Sequence, residues 1–125
     1  MIRLILIIGT GSFIGGISRF LTSRLIQNYA DSTFPYGTFV INIVGCFLAG
    51  LFYGLSERTN NLNSEWIMFL TIGFCGGFTT FSAFSNENMA LLRQSEFLYF
   101  ALYAGLSVFL GLLATFIGNL ITKLL

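Results

Sequence analysis

Histidine is missing from this 125-residue chain, and charged residues make up only 9% of it, against about 25% in soluble domains. The lack of histidine removes the most common metal ligand and the usual general base. The 5 acidic residues lie in predicted loops or near predicted helix ends, so no acid–base pair is expected at membrane depth. We therefore predict that the chain is not an enzyme, and the net charge of +1 predicts no nucleic-acid partner.

Proline and cysteine are also rare: proline occurs only as Pro35, and cysteine only as Cys46 and Cys75. Both cysteines lie inside apolar segments, and neither has a second potential ligand close by in the sequence. We therefore expect both to be buried packing residues.

Apolar residues dominate what is present, at 55% of the chain with a mean hydropathy of +0.83. Crossing a bilayer takes about 20 predominantly apolar residues in a helix. The sequence predicts an all-α integral membrane protein with one four-helix domain spanning residues 1–125. The predicted transmembrane helices are about 3–26, 37–56, 66–92 and 97–122. The predicted connections are Gln27–Pro35, Glu57–Glu65 and Arg93–Glu96.

The third predicted helix contains an unusual run, Gly73-Phe-Cys-Gly-Gly-Phe-Thr-Thr-Phe-Ser-Ala-Phe-Ser-Asn-Glu87. Glycine costs about 1 kcal/mol against alanine in a helix interior. The run therefore predicts a helix that breaks in mid-membrane near residues 76–79 and restarts. Such breaks are tolerated where protein buries them or water reaches them, and their carbonyls can hold ions. The alternative is a small-residue packing face with incidental hydroxyl groups.

Polar side chains are few within the other helices, and each has two interpretations. Asn42 could make an interhelical hydrogen bond or belong to a functional site. Arg19 could reach the interface or attract anions. One face of the fourth helix could line a water-filled path or bond to other helices; it carries Tyr103, Ser107, Gly111 and Thr115. Small residues also recur at helical spacing, which predicts close packing: Gly11 with Gly15, and Ala104 with Gly111 and Gly118.

Positive charge is balanced between the two predicted sides of the membrane. One side carries Arg3, Arg58 and Lys123, and the other carries Arg19, Arg24 and Arg93. The positive-inside rule then gives no preferred orientation, so such a chain can insert both ways. Four helices leave little room for a pore, and no internal repeat is visible. Both points favour a dimer of oppositely oriented copies.

The motifs Gly37-Thr-Phe-Val-Ile-Asn-Ile-Val-Gly45, Gly73–Ser85 with Glu87, and Gly15-Gly-Ile-Ser-Arg-Phe20 resemble the Fluc (CrcB) fluoride channels. The resemblance covers all four predicted helices. It implies an antiparallel, dual-topology homodimer in the bacterial cytoplasmic (inner) membrane. Two fluoride pathways and a central, structural Na⁺ that is not transported are implied as well. Passive export of F⁻ would lower its toxicity in the cytoplasm.

The resemblance also implies roles for individual residues. Backbone carbonyls of Gly76 and Thr79 from both copies would hold the Na⁺. Arg19 and Glu87 match charged positions of the family, with no conducting role assigned. The implied fluoride pathway comprises Phe81, Phe84, Asn42, Ser82, Ser85, Thr115 and Ser107. Positive ring edges, hydroxyl groups and an amide N–H can replace water around an anion without holding it tightly.

Two other functions are compatible with four helices of this length. A small multidrug-type exporter would need an acid on the first helix, and that helix has none. A non-conducting scaffold subunit would use the polar faces only to dock partners, and ion flux in vesicles distinguishes it from a channel.

Overall fold

The computed structural model describes residues 1–58 and 63–125, so part of the predicted connection Glu57–Glu65 lies outside the described residues. The described ranges contain four helical segments long and apolar enough to cross a membrane. Their length and apolar composition are those of a multi-pass integral membrane protein. The spans are α1 (Ile2–Ala30), α2 (Tyr36–Arg58), the third span (Ser64–Arg93) and α6 (Phe97–Leu124).

The first span extends four residues beyond its predicted end at residue 26, because the polar Gln27 caps the turn that follows. Its Nε2 donates to the carbonyls of Ser32 and Phe34 at 2.8 and 3.2 Å, and its Oε1 accepts from Gly37 N–H at 3.1 Å. Asp31 ends the helix in the left-handed region, with φ of 45°. Residues predicted to be loop are thus the last helical turn and its cap.

The third span changes geometry along its length. It begins with α3 (Ser64–Met68), continues as a π-helical segment (Phe69–Cys75) and a short helical turn, α4 (Gly76–Phe78), and resumes as α5 (Phe81–Arg93). Between α4 and α5, Thr79 and Thr80 are extended, with ψ angles of 157° and 121°. The extended residues are therefore the two threonines, while the glycines before them are helical.

Those glycines allow close packing against α1. A Cβ added to Gly77 would lie 2.5 Å from the Ser12 carbonyl oxygen, and one added to Gly73 would lie 2.9 Å from that of Ile8. On α1 itself, a Cβ at Gly11 would lie 2.6 Å from the Phe69 carbonyl oxygen. The predicted small-residue spacing on α1 is thus a backbone-to-backbone contact with the third span.

The fourth span, α6, packs chiefly along α2. Added Cβ atoms at Gly50 and Gly118 would meet the carbonyl groups of Thr115 and Phe47, respectively. At the end of this pair, an Arg58 guanidinium N–H donates to the Thr122 carbonyl. The pair forms one wall of the groove described next.

Candidate functional site

Asn42 on α2 holds the peptide groups of the extended segment. Its Nδ2 donates to the Thr80 carbonyl at 3.0 Å, and its Oδ1 accepts from the Thr80 N–H at 2.8 Å. These two bonds fix the orientation of the amide, because the backbone offers one acceptor and one donor. One N–H of the Asn42 amide is used in this way, and the NH₂ group carries a second.

The carbonyls of Gly76 and Thr79 are among those that lose their helical partners at this segment. In a continuous helix the Gly76 carbonyl would accept from Thr80 N–H, and the Thr79 carbonyl would accept from Ala83 N–H. Thr80 N–H instead donates to Asn42, and Ala83 N–H donates to the Thr80 hydroxyl at 3.2 Å, which caps α5. Gly76 is exposed in the single chain and Thr79 is half-buried. Carbonyl oxygens freed in this way are suitable ligands for a hard cation.

A groove of about 420 Å³ lies beside the extended segment. It runs between α2, the third span and α6. Of the predicted pathway residues, Asn42, Phe81, Phe84, Ser107 and Thr115 line it. The remaining lining residues are Gly45, Cys46, Ala49, Thr71, Cys75, Gly76, Thr79, Thr80 and Val108.

Two aromatic rings stand at the α5 side of this groove. The centroids of Phe81 and Phe84 lie 5.6 Å apart with their planes tilted by 42°. Phe84 is half-buried, and its centroid lies 5.0 Å from that of the fully buried Tyr103. Phe81 is 79% exposed in the single chain. One ring is therefore fixed by the core, and the other projects away from it.

The two predicted hydroxyls of α6 differ in their bonding. Thr115 Oγ1 lies 3.1 Å from the Cys46 carbonyl and 3.0 Å from the Gly111 carbonyl, so these acceptors engage its proton. Within the described residues, the buried Ser107 Oγ has no hydrogen-bond partner. Ser107 is thus the α6 hydroxyl with a donor available to a groove occupant.

Ser82 and Ser85 do not line the groove of the single chain. Both are exposed, and Ser82 Oγ lies 3.3 Å from Thr80 Oγ1. Each serine follows a groove-lining phenylalanine on α5, so the two serines lie on the neighbouring face of that helix. Their assignment to the pathway remains a prediction.

The sequence did not predict the hydrogen bonds that the Glu87 carboxylate accepts from two other spans. Thr38 Oγ1 donates to Glu87 Oε1 at 2.6 Å, and Tyr103 OH donates to Glu87 Oε2 at 2.8 Å. The only signal in the sequence was the position of Tyr103 on the polar face of α6, since nothing marks Thr38 as its neighbour. Arg19 is the other charged position that the resemblance matches. Its Nε is buried and has no hydrogen-bond partner among the described residues.

Comparison with known proteins identifies the family. The family described as CrcB-like protein, Camphor Resistance (CrcB), matches residues 6–119. A fluoride-specific ion channel FluC of Flavobacterium psychrophilum is 50% identical over 121 residues, 97% of this chain and 98% of that protein. A protein of the same name from Azobacteroides pseudotrichonymphae is 40% identical over 123 residues, covering 98% of each chain. A third, from Bacteroides fragilis, is 42% identical over 118 residues, covering 92% of each.

These matches confirm the resemblance seen in the sequence, and they extend over nearly the whole chain. The three relatives are named as ion channels and not as enzymes, in agreement with the prediction that the chain is not an enzyme. This chain belongs to the CrcB-like family.

Proposed function

We propose that this protein is a fluoride-selective channel that exports F⁻ passively across the bacterial cytoplasmic membrane and thereby lowers cytoplasmic fluoride. The observation that carries this proposal is the groove beside Thr79 and Thr80. It gathers an amide, two rings and two hydroxyls from three separate spans. The names and high identity of the relatives support the choice of fluoride as the ion.

The groove offers weak contacts in series rather than one strong site. The second N–H of Asn42 and the unpaired Ser107 hydroxyl can each donate a hydrogen bond to F⁻. The Phe81 and Phe84 rings present positive edges. Among the described residues, no Lys or Arg lines the groove. An anion can therefore enter and leave, because conduction needs several sites of moderate strength.

The conducting form in this proposal is a homodimer of oppositely oriented copies with two pathways. Phe81 is 79% exposed and Gly76 is exposed in the single chain, and both lie beside the groove. A second copy would cover these groups and close the groove. The basic residues are balanced between the two ends of the spans, with Arg3, Arg58 and Lys123 at one end and three arginines at the other, so the positive-inside rule favours neither orientation.

A structural Na⁺ is part of the same proposal. The carbonyls of Gly76 and Thr79 would hold it, each supplied by both copies, since both have lost their helical donors. When bound, the ion supplies fixed positive charge near the anion pathways and satisfies carbonyls that the extended segment leaves unpaired. The protein's own contribution is to hold those carbonyls in place through Asn42 and the Thr80 cap.

Fluoride efflux from liposomes containing the purified protein tests the function. We expect rapid fluoride efflux, read with a fluoride electrode, that requires only a charge shunt, and no matching efflux of chloride. Folded protein that releases no fluoride would refute the channel and favour the scaffold subunit. Proton-driven export of multidrug cations without fluoride efflux would favour the exporter, although α1 contains no acidic residue to support it.

A further inference from the structure

The two cysteines, predicted to lack a second ligand, lie on the wall of the same groove. Cys46 is half-buried on α2, and Cys75 is 3% exposed in the π-helical segment. Both are free thiols, and α2 packs against the π-helical segment, so the two cysteines line one groove from neighbouring spans. Cys75 is buried as the sequence predicts, while Cys46 is only half-buried.

The surroundings of the two sulfurs restrict which metals they can bind. Within residues 1–58 and 63–125, no group of three or more His, Cys, Asp or Glu side chains could hold a metal ion. The cysteines' own backbone oxygens are engaged, since the Cys46 carbonyl accepts from Thr115 and the Cys75 carbonyl accepts from Thr79. Structural zinc requires four ligands, so two thiols alone do not suit it.

Two thiolates suit a soft, two-coordinate metal ion instead, because soft cations prefer sulfur to oxygen. Binding of a divalent ion by two thiols balances as Hg²⁺ + 2 RSH → RS–Hg–SR + 2 H⁺, with no redox change. The product is neutral, which matters in a membrane because burying a net charge is costly. The two released protons pass to the buffer.

We propose that Cys46 and Cys75 form a two-thiolate site for soft metal ions in the wall of the groove, for which Hg²⁺ is the best-matched probe. The site shares its groove with Gly76, Thr79 and Phe84. If the groove conducts, which rests on the proposed function, a metal held there obstructs the pathway and lowers fluoride flux.

Metal retention tests the site without reference to flux. Purified protein is loaded with HgCl₂ and washed with excess monothiol, and mercury per chain is measured by mass spectrometry. A second thiol on the same protein raises the effective affinity by on the order of 100-fold. The wild type should therefore retain about one mercury per chain. Cys46→Ser and Cys75→Ser should each lose their mercury at a monothiol concentration on the order of 100-fold lower than the wild type requires.

A matched control keeps two thiols but separates them. The double variant C46S/A101C places the second thiol on an exposed position of α6, and Ala101 does not line the groove. It should lose mercury as readily as the single variants. Retention by this control equal to that of the wild type, or stripping of the wild type at the same monothiol concentration as the single variants, would overturn the site.

Fluoride efflux is then measured on the same samples. We expect mercury loading followed by the monothiol wash to lower the fluoride efflux of the wild type. The same treatment should leave the fluoride efflux of Cys75→Ser unchanged. Retained mercury with unaltered fluoride efflux supports the site and contradicts the groove as pathway. Absence of efflux from untreated, folded protein refutes the proposed function, while metal retention still decides the site.

Discussion

The Asn42 side chain offers the sharpest test of how the extended segment is held. Its two hydrogen bonds pair both polar groups of the Thr80 peptide. Replacing Asn42 by alanine removes both bonds and leaves the Thr80 N–H and carbonyl without these partners. Because backbone polar groups within a membrane need partners, we expect the extended segment to loosen.

The expected loss of stability follows from these two bonds. Side-chain hydrogen bonds between membrane helices contribute about 0.6 kcal/mol on average and about 1.7 kcal/mol at most. Two bonds therefore give about 1–3 kcal/mol for Asn42→Ala. Two fully dry, unsatisfied groups would cost more, about 2–6 kcal/mol. Thr80 is half-buried and lines the groove, so the lower range applies.

The assay is reversible unfolding by SDS in mixed micelles, followed by fluoride efflux from liposomes. Asn88→Ala is the matched control, since Asn88 is also buried but makes one bond, of 2.9 Å, to Phe84 within its own helix. We expect Asn88→Ala to cost less than Asn42→Ala and to leave more flux.

Two results would refute this reasoning. Asn42→Ala with a free energy of unfolding within about 0.5 kcal/mol of wild type would show that the bonds to Thr80 contribute nothing. Asn42→Ala with full fluoride efflux would show that neither the amide nor its hold on the extended segment is needed for conduction.

Three further predictions concern the rings, the helix contacts and the cation. Phe81→Ile and Phe84→Ile should each lower fluoride efflux with the fold retained, and unchanged efflux in both would remove the rings from the mechanism. Gly118→Ala should cost about 1–3 kcal/mol in the SDS assay because its Cβ would meet the Phe47 carbonyl. The control Gly105→Ala meets nothing within 4 Å and should be neutral or stabilise by up to about 1 kcal/mol; equal losses would contradict the packing. Removal of Na⁺ should abolish fluoride efflux. In separate liposomes that contain Na⁺, trapped radioactive sodium should stay inside while fluoride leaves; sodium efflux alongside fluoride would contradict a structural ion.

The four spans follow from the sequence because membrane crossing depends on local hydropathy and length. The residues that line the groove were predicted only in part, and their role in conduction stays a prediction. Asn42 and the rings stand out as rare polar or periodic residues in apolar helices. Ser82 and Ser85 share that signal but do not line the groove of the single chain. Spacing along one helix identifies a shared face, but it does not say which neighbour that face meets.

The sequence by itself determined the class of protein, the number of apolar spans and the family, since these are encoded in composition and contiguous motifs. Only the tertiary structure decided which glycines pack and which residues are extended, because Asn42 reaches Thr80 from another span. The same applies to the free Ser107 hydroxyl and to the shared groove of Cys46 and Cys75. Contacts between distant parts of the chain depend on how the helices pack, and no local pattern records that packing.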